Sequence, residues 1–326
     1  MQIQNVVSIS GGKDSTSLGL LAIERKTPNL HFVYADTGHE HAQTYEYLDY
    51  LNEVFKDLCG VGITRIKADF SRQIAGKREF IIKKWAEHGV PEERIQQALD
   101  ILQPTGNPFL DLCIWKGRFP STRARFCSSE LKHIPIQKQV IDPLMADSQA
   151  VISWQGVRAQ ESEARRNLPE RDVEFGSWEP EPTGLLIYRP IIAWTAEEVF
   201  HYHRKHNVKW NPLYEQGMGR VGCMPCIHAN KAELREIAKR FPEEVLRVAQ
   251  WEKIASMASK RGLASFFASD KTPGDHQGRS DQSAPGIEAV MEWALTGRGG
   301  RQIDLLHLAD SQEEHVMCSS IYGLCE

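Results

Sequence analysis

Apolar residues fall in short blocks along the first third of the chain, and polar turns separate the blocks. Residues 4–9, centred on Val6 and Val7, form a run of strand length. The polar segment Ser10-Gly11-Gly12-Lys13 follows it. Residues 14–25 predict a helix, with Leu18, Leu20, Leu21 and Ile23 on its apolar side and Asp14 or Ser15 placed to cap its start. Residues 30–35 predict a second strand, 43–58 a second helix and 62–70 a third strand. Strand–helix–strand–helix–strand is the pattern of an α/β protein with a doubly wound, mostly parallel sheet and helices on both faces.

Beyond that the pattern is less regular. Residues 72–103 read as helical with a break at Gly89-Val90-Pro91. Residues 104–126 contain three prolines and several arginines and read as a loop. A helix is predicted over 129–140, a strand over 150–154, a charged loop over 156–174 and a turn region over 176–184. Residues 195–206 carry a helix start signal, because Thr195 and Glu198 have capping-box spacing. Residues 231–261 read as a charged helical region, 269–286 as a Gly/Pro/Ser/Asp linker and 287–295 as a short helix. The expected organisation is an α/β unit over 1–215, a cysteine-containing helical region over 216–268, a flexible linker over 269–286 and a cysteine-containing tail over 287–326.

Composition narrows the class. A chain of 326 residues suggests roughly two units at about 150 residues each. Hydrophobic residues make up 41% and charged residues 25%, which excludes a mostly disordered, collagen-like or coiled-coil chain. The net charge of −4 gives no global basic field to attract nucleic acid, although a local patch is compatible with it. No apolar run approaches the ~18 residues of a membrane span, and no secretory signal precedes the first strand. The expected compartment is therefore the cytoplasm, with no membrane association. Seven cysteines in a reducing compartment suggest metal or redox chemistry rather than a disulfide framework.

The chemistry concentrates in three places. The first is Ser10 to Ser15, between a strand and a helix. Its glycines let the backbone turn tightly and approach a polyanion, and the helix start directs free N–H groups at that anion. Lys13 adds positive charge, Ser10 and Ser15 can donate hydrogen bonds, and Asp14 can help hold Mg2+. The G-x-x-x-x-G-K-[ST] sequence of P-loop NTPases is absent. The second place is Cys223-Met224-Pro225-Cys226, a C-x-x-C whose spacing permits zinc, an iron–sulfur cluster or a dithiol. The third is the Arg-rich stretch that holds Arg158, Arg165 and Arg166. Alone these would be solvated loop charges. Cys59 reads as a plain buried thiol. His39 and His41 lack a zinc-protease pattern, and His201, His203 and His206 fall on a predicted surface helix, so structural or solvated roles are expected for all five.

Several of these segments resemble one family. Ser10 to Ser15 looks like the PP-loop of the ATP pyrophosphatase superfamily. Asp36-Thr37-Gly38, with Thr44-Tyr45 beyond, resembles the second-strand motif of its phosphoadenylyl-sulfate (PAPS) reductase branch. Gly156-Val157-Arg158-Ala159-Gln160-Glu161-Ser162, then Arg165, resembles that branch's Gly-x-Arg-x-x-x-Ser-x-x-Arg segment. Arg125-Phe126-Cys127, with Leu131-Lys132 and Pro135, resembles the segment that carries a cysteine pair in iron–sulfur reductases. The resemblance covers roughly residues 1–230. It implies an adenine nucleotide, ATP or a PAPS-type molecule, bound by Ser8, Ser10, Gly11, Gly12, Lys13, Asp14, Ser15, Asp36, Thr37, Gly38, Gly156, Arg158, Ser162 and Arg165. Beside the Gly156 motif, the arginines read as forks for phosphate or sulfate.

The resemblance also implies a [4Fe–4S] cluster, with Zn2+ as the alternative. Its ligand candidates are Cys127, Cys223, Cys226, Cys318 and Cys325. Cys113 and His228 are weaker choices. The reductases have Cys-Cys where this chain has Cys127-Ser128, so one ligand of their set is missing. Three functions remain in view. One is adenylation by ATP followed by sulfur transfer, with Mg2+, Lys13, Asp14 and Arg158 in the chemistry and a nucleic acid as candidate acceptor near Arg118, Arg123, Arg125 and Lys132. The second is reduction of PAPS or adenylyl sulfate with Cys325 as nucleophile. The reductases' Glu-Cys-Gly-Leu-His tail is absent, and Tyr322-Gly323-Leu324-Cys325-Glu326 only loosely echoes it. The third is a non-catalytic nucleotide or iron–sulfur sensor within a complex. A sulfur donor, a thiol reductant protein or a second copy of the chain are the protein partners these readings bring in.

Overall fold

β1 (Ile3–Ser8) is an interior strand of the sheet, and its two central valines show why. Val6 and Val7 are both fully buried, on opposite faces of the sheet, so β1 is covered on both sides as a parallel strand requires. The computed structural model describes residues 2–267 and 286–297. Among these residues one six-stranded sheet forms, in the order β3-β2-β1-β4-β6-β5. β2 (Leu30–Asp36), β3 (Ile63–Lys67), β4 (Ala150–Trp154) and β6 (Thr183–Tyr188) run parallel to β1, and β5 (Arg171–Ser177) is an antiparallel edge. β1 pairs with β2 from Asn5↔Leu30 to Ser8↔Val33 and with β4 from Ile3↔Ala150 to Val7↔Trp154. The sheet is thus wound outward from β1 in both directions, as the α/β pattern predicts.

α1 (Lys13–Glu24) and α2 (Ala42–Cys59) cover one face. Leu18, Leu21, Leu48, Leu51, Phe55 and Phe32 form its core, with Phe32 and Phe55 rings 4.5 Å apart. A helical run over 126–146 covers the other face through Ile141 against Val6, Val33 and Val151. Its backbone is π-helical over Ser129–His133 and Gln137–Ile141. Each fully buried aliphatic side chain here contributes about 1.5–3 kcal/mol. A third apolar cluster joins α3 (Ser71–Lys84), α4 (Glu92–Ile101) and α5 (Pro108–Lys116) to the helices Lys231–Arg240, Pro242–Met257 and Ile287–Leu295. It draws residues from Phe70 to Ala294, so one core runs through both sides of position 215. Most of the expected linker and the tail from residue 298 lie outside the described residues, and Cys318 and Cys325 with them.

Four expectations need correction. The stretch 104–126 is not all loop, because α5 forms within it. Asn107 caps it by accepting from the Leu110 N–H at 3.0 Å, and Pro108 sits in the first turn, where a missing N–H costs nothing. The charged loop and turn region over 156–184 contain a helical turn at Glu163–Arg166 and a β5–β6 hairpin. Cys59 is exposed, with its Sγ 3.2 Å from the Phe55 carbonyl oxygen. α1 begins at Lys13 after an uncapped Gly12, and Ser15 instead donates to the Gly12 carbonyl at 3.0 Å.

Candidate functional site

β1 and β4 lie side by side, and the chain leaves them towards opposite edges of the sheet. Their C-terminal ends therefore open a crevice at the switch point. Two glycine segments meet there. Ser10 to Ser15 leaves β1, and Gly156 to Ser162 leaves β4. A Cβ at Gly156 would stand 3.3 Å from the Asp14 carbonyl and the Ser15 Cα, tighter than ordinary contact, so any larger residue would push the two segments apart by a few tenths of an ångström. Gly11 has φ +72°, a left-handed conformation that glycine adopts without strain. The Ser10 N–H donates to Ser15 Oγ at 3.1 Å, and the Thr16 N–H and hydroxyl both donate to the Gly12 carbonyl at 3.1 Å.

Charge in the crevice centres on Asp14. Its carboxylate takes Lys13 Nζ at 2.9 Å on one oxygen and Arg158 Nε at 2.5 Å on the other. Lys13 is 3% exposed and Arg158 is 4% exposed. Two buried cations share one carboxylate, which leaves the mouth of the loop locally positive. Arg158 also donates to Gln160 Oε1 at 3.0 Å. Arg165 pairs with Glu161, whose carboxylate accepts the Arg158 N–H at 3.0 Å. Ser162 is exposed on the rim.

The loop is also gripped by residues that its own sequence does not announce. Tyr214 Oη accepts the Lys13 N–H at 3.0 Å, Asn211 Nδ2 lies 3.3 Å from the Gly11 carbonyl, and His203 Nε2 lies 2.9 Å from the Lys13 carbonyl. His203 is fully buried, which corrects its placement on a surface helix. Burial lowers its pKa, so the ring is neutral and can donate Nε2–H to Lys13. His201 is exposed and His206 pairs with Glu24 at 2.7 Å, as solvated or structural histidines do. His39 and His41 are buried structural histidines, and His39 stacks on Phe109 at 4.2 Å.

β2 ends in the second motif. Asp36 accepts the Gly38 N–H at 2.9 Å and the Tyr45 hydroxyl at 2.8 Å, and pairs with Lys67 at 3.1 Å. Gly38 has φ +73°, and a Cβ there would meet Asn107 at 2.9 Å. The Asn107 amide donates to the Gly38 carbonyl at 2.7 Å and so docks the start of α5 on this turn.

The same turn carries the C-x-x-C. Glu40 and Cys223 form an antiparallel bridge, the Met224 N–H donates to the His39 carbonyl at 2.8 Å, and His39 Nε2 lies 2.9 Å from the Pro225 carbonyl. Cys127, at the start of the 126–146 run, interacts electrostatically with Cys226, and Cys223 interacts with Cys226. Lys132 stands among them. Burial alone would lower its pKa, but Cys223, Glu40, Cys226 and Cys127 outweigh that and raise it. Burial and then Glu40 push the Cys223 thiol up to about 12. Burial, with Cys226 next, raises Cys127. Cys113, buried in α5 beside Cys127, is raised well above the usual thiol range by burial. As free thiols these groups are therefore protonated and inert at neutral pH.

Among the described residues no three His, Cys, Asp or Glu side chains converge on a single-ion centre. The thiols of Cys127, Cys223 and Cys226 are nevertheless three soft donors beside one cation. That donor chemistry fits an anionic iron–sulfur group, whose ligands sit on separate irons.

A mostly parallel sheet, a glycine loop at its switch point and a buried Lys–Asp–Arg cluster beside it make this an α/β fold of the PP-loop type. The chain belongs to the phosphoadenosine phosphosulfate reductase domain family, which matches residues 4–229. It is 49% identical over 337 residues to an uncharacterized 37.8 kDa protein of Escherichia phage 186, covering 99% of this chain and 96% of that one. It is 27% identical over 240 residues to an adenosine 5'-phosphosulfate reductase of Anoxybacillus flavithermus, covering 70% of this chain and 91% of that one. Among solved structures, the phosphoadenylyl-sulfate reductase of Candida auris in a phosphate complex aligns with a TM-score of 0.39 and 18% identity, over 68% of this chain and 81% of that one. No helix among the described residues is long and apolar enough to cross a membrane.

Proposed function

We propose that this chain binds ATP with Mg2+ at the Ser10–Ser15 loop, adenylates an acceptor and passes sulfur to it. The observation that carries this reading is the position of Asp14. A cradle for a simple phosphate or sulfate gains nothing from a carboxylate between its two cations. A cradle for a metal-bound triphosphate does, because the carboxylate can turn to Mg2+ when the phosphates take over Lys13 and Arg158. In the first step an acceptor oxygen attacks the α-phosphorus. The bond to the bridging oxygen breaks, and pyrophosphate leaves with the electron pair. In the second step a sulfide equivalent from a sulfur donor displaces AMP from the adenylated acceptor. Lys13 and Arg158 offset the charge that develops on the phosphates.

Cys127, Cys223 and Cys226 would hold an iron–sulfur cluster, with Cys318 or Cys325 as candidates for a further ligand. Such a cluster supplies thiophilic iron and electron-transfer capacity beside the nucleotide turn. Arg118, Arg123 and Arg125 precede Cys127 in the sequence and would supply positive charge for a nucleic-acid backbone. A second reading, reduction of a sulfonucleotide to sulfite, draws on the family and on the relative named an adenosine 5'-phosphosulfate reductase.

One assay separates the two readings. The anaerobically purified chain is incubated with ATP, Mg2+, a nucleic-acid acceptor and a sulfide source, or with adenylyl sulfate or PAPS and a thiol reductant, and the products are counted. Pyrophosphate and AMP from ATP, lost in Lys13→Ala, support adenylation. Sulfite from the sulfonucleotides without ATP turnover would replace it with the reductase reading.

A further inference from the structure

α5 stops at Gly117, whose φ of +64° turns the chain, and a basic loop leads from there towards Cys127. Between Asp111 and Glu130 the sequence holds Lys116, Arg118, Arg123 and Arg125 and no acidic residue. The two flanking carboxylates are already engaged. Asp111 accepts the Thr105 N–H at 2.7 Å and the Thr105 hydroxyl at 2.6 Å, and Glu130 takes Lys116 Nζ at 3.1 Å. Arg118, Arg123 and Arg125 are all exposed, and none of them makes an ion pair among the described residues. By contrast, the exposed Lys83 and Lys84 of α3 face Glu79 and Glu87. The loop is also held in shape. Phe119 and Pro120 are buried and anchor it, with the Phe119 ring 5.5 Å from that of Phe266. Ser121 and Ala124 exchange backbone N–H to carbonyl bonds at 3.2 and 3.1 Å. A ligand therefore has little loop left to order. Phe126 is half-buried, and the exposed Arg118 guanidinium lies 5.6 Å from the centre of its ring.

We propose that residues 118–126 are the docking site of a single-stranded nucleic acid, with Arg123 and Arg125 on its phosphates and the Arg118–Phe126 pair under one of its bases. The inference deepens the acceptor step of the proposed adenylation, and it rests on that reading only for what is done to the bound strand. A net charge of −4 gives the chain no general attraction for polyanions, so the attraction must be local. Arginines placed one after another along a loop suit a repeating charge better than one small anion. Arg118 over an aromatic ring adds a flat surface on which an unstacked base can rest. An acidic peptide makes no use of that surface, and a duplex keeps its bases stacked away from it. The loop runs directly into Cys127, so a strand held there lies beside the candidate thiol site.

The test is a fluorescence-anisotropy titration of the full chain, without ATP. The probes are oligo-dT, oligo-U, an abasic strand of equal charge, a DNA duplex and polyglutamate. The parent is expected to bind oligo-dT, oligo-U or both. It should bind the abasic strand, the duplex and polyglutamate about fivefold or more weakly, the loss of one stacked base. In Arg123→Ala/Arg125→Ala the logarithmic salt slope for the strand should fall by about 1.4, two phosphate contacts at about 0.7 each. Arg118→Ala should remove the preference over the abasic strand. Lys83→Ala/Lys84→Ala, which removes two cations already paired, should bind as the parent does. These residues are exposed, so the variants are expected to melt with the parent, and the comparison of intact and abasic strands needs no variant. A parent that binds neither strand overturns the inference. So does an unchanged salt slope in the double arginine variant, or a duplex or polyglutamate bound as tightly as the strand. Strand binding with no pyrophosphate released from ATP overturns the adenylation reading and leaves the docking site. Pyrophosphate release without strand binding does the reverse.

Discussion

At the scale of single residues, Asp14 decides how the loop behaves without ligand. It is the shared partner of two cations that are almost wholly buried, and removing a partner from a buried charge costs more than the pair itself contributes. Asp14→Asn is expected to lower the stability of the free chain by about 1–3 kcal/mol. Saturating ATP should restore part of the loss, because phosphate oxygens then satisfy Lys13 and Arg158. Thermal melts with and without nucleotide check this, and a variant as stable as the parent, or one that nucleotide does not rescue, would contradict the role given to Asp14. The loop's own residues were legible in the sequence, because Ser10 to Ser15 is a local pattern between a strand and a helix. Tyr214, Asn211 and His203 were not. They reach the loop from about 200 residues away, and local periodicity cannot reveal a long-range polar contact. The thiol cluster was half legible. The C-x-x-C and Cys127 were readable, but the bridge from Glu40 to Cys223 that sets the C-x-x-C beside the β2 turn leaves no local trace.

At the scale of elements, what could be read was whatever repeats with a simple period. β1, α1, β2, α2 and β3 alternate cleanly and were predictable. α5 was missed because Phe109, Leu110, Leu112, Cys113 and Ile114 are buried all round it, which erases an amphipathic stripe, and because Pro108 within it and Pro104 and Pro120 around it read as breakers. The β5–β6 hairpin was missed because β5 is a mostly exposed, charged edge with a register shift at Val173/Phe175.

One tie between elements has a measurable pH signature. Glu24 ends α1 and meets three groups of the helix Ala196–Lys205 and its C-cap, namely Tyr202 at 2.6 Å, Lys205 at 2.8 Å and His206 at 2.7 Å. Lys205, with Tyr202 next, lowers the Glu24 pKa from 4.5 to about 2. A carboxyl whose folded pKa is depressed contributes stability that is complete above 4.5 and lost as the pH falls towards 2. Glu24→Gln should therefore melt lower than the parent at neutral pH, and the gap should close as the pH drops through that window. A gap that stays constant with pH would mean that the carboxylate charge does not hold these helices together.

At the scale of the whole molecule, the fold brings two chemistries to one end of the sheet. The β1 and β4 loops form the cradle proposed for phosphates. The β2 turn carries Asp36 on one side and is bridged to Cys223 on the other. Helices from far along the chain, 231–240 and 242–257, pack behind that bridge, and Arg247 reaches from the second of them to the Met224 carbonyl at 3.0 Å and to His39 Nδ1 at 3.2 Å. The proposed nucleotide cradle and the thiols thus lie at one edge of the sheet, joined by the Glu40–Cys223 bridge, which suits the proposed reaction that activates an acceptor and then delivers sulfur to it. The central claim is that the cradle is built for a metal-bound triphosphate. It is tested most directly by equilibrium titration of the purified chain with ATP, with and without Mg2+, beside adenylyl sulfate and PAPS, and repeated on Lys13→Ala. The account predicts that ATP binds best, that Mg2+ tightens it, and that Lys13→Ala weakens it by about tenfold or more, the loss of one charge-assisted contact. Tight binding of the sulfonucleotides with no measurable affinity for ATP, or ATP binding indifferent to Mg2+ and to Lys13, would contradict it.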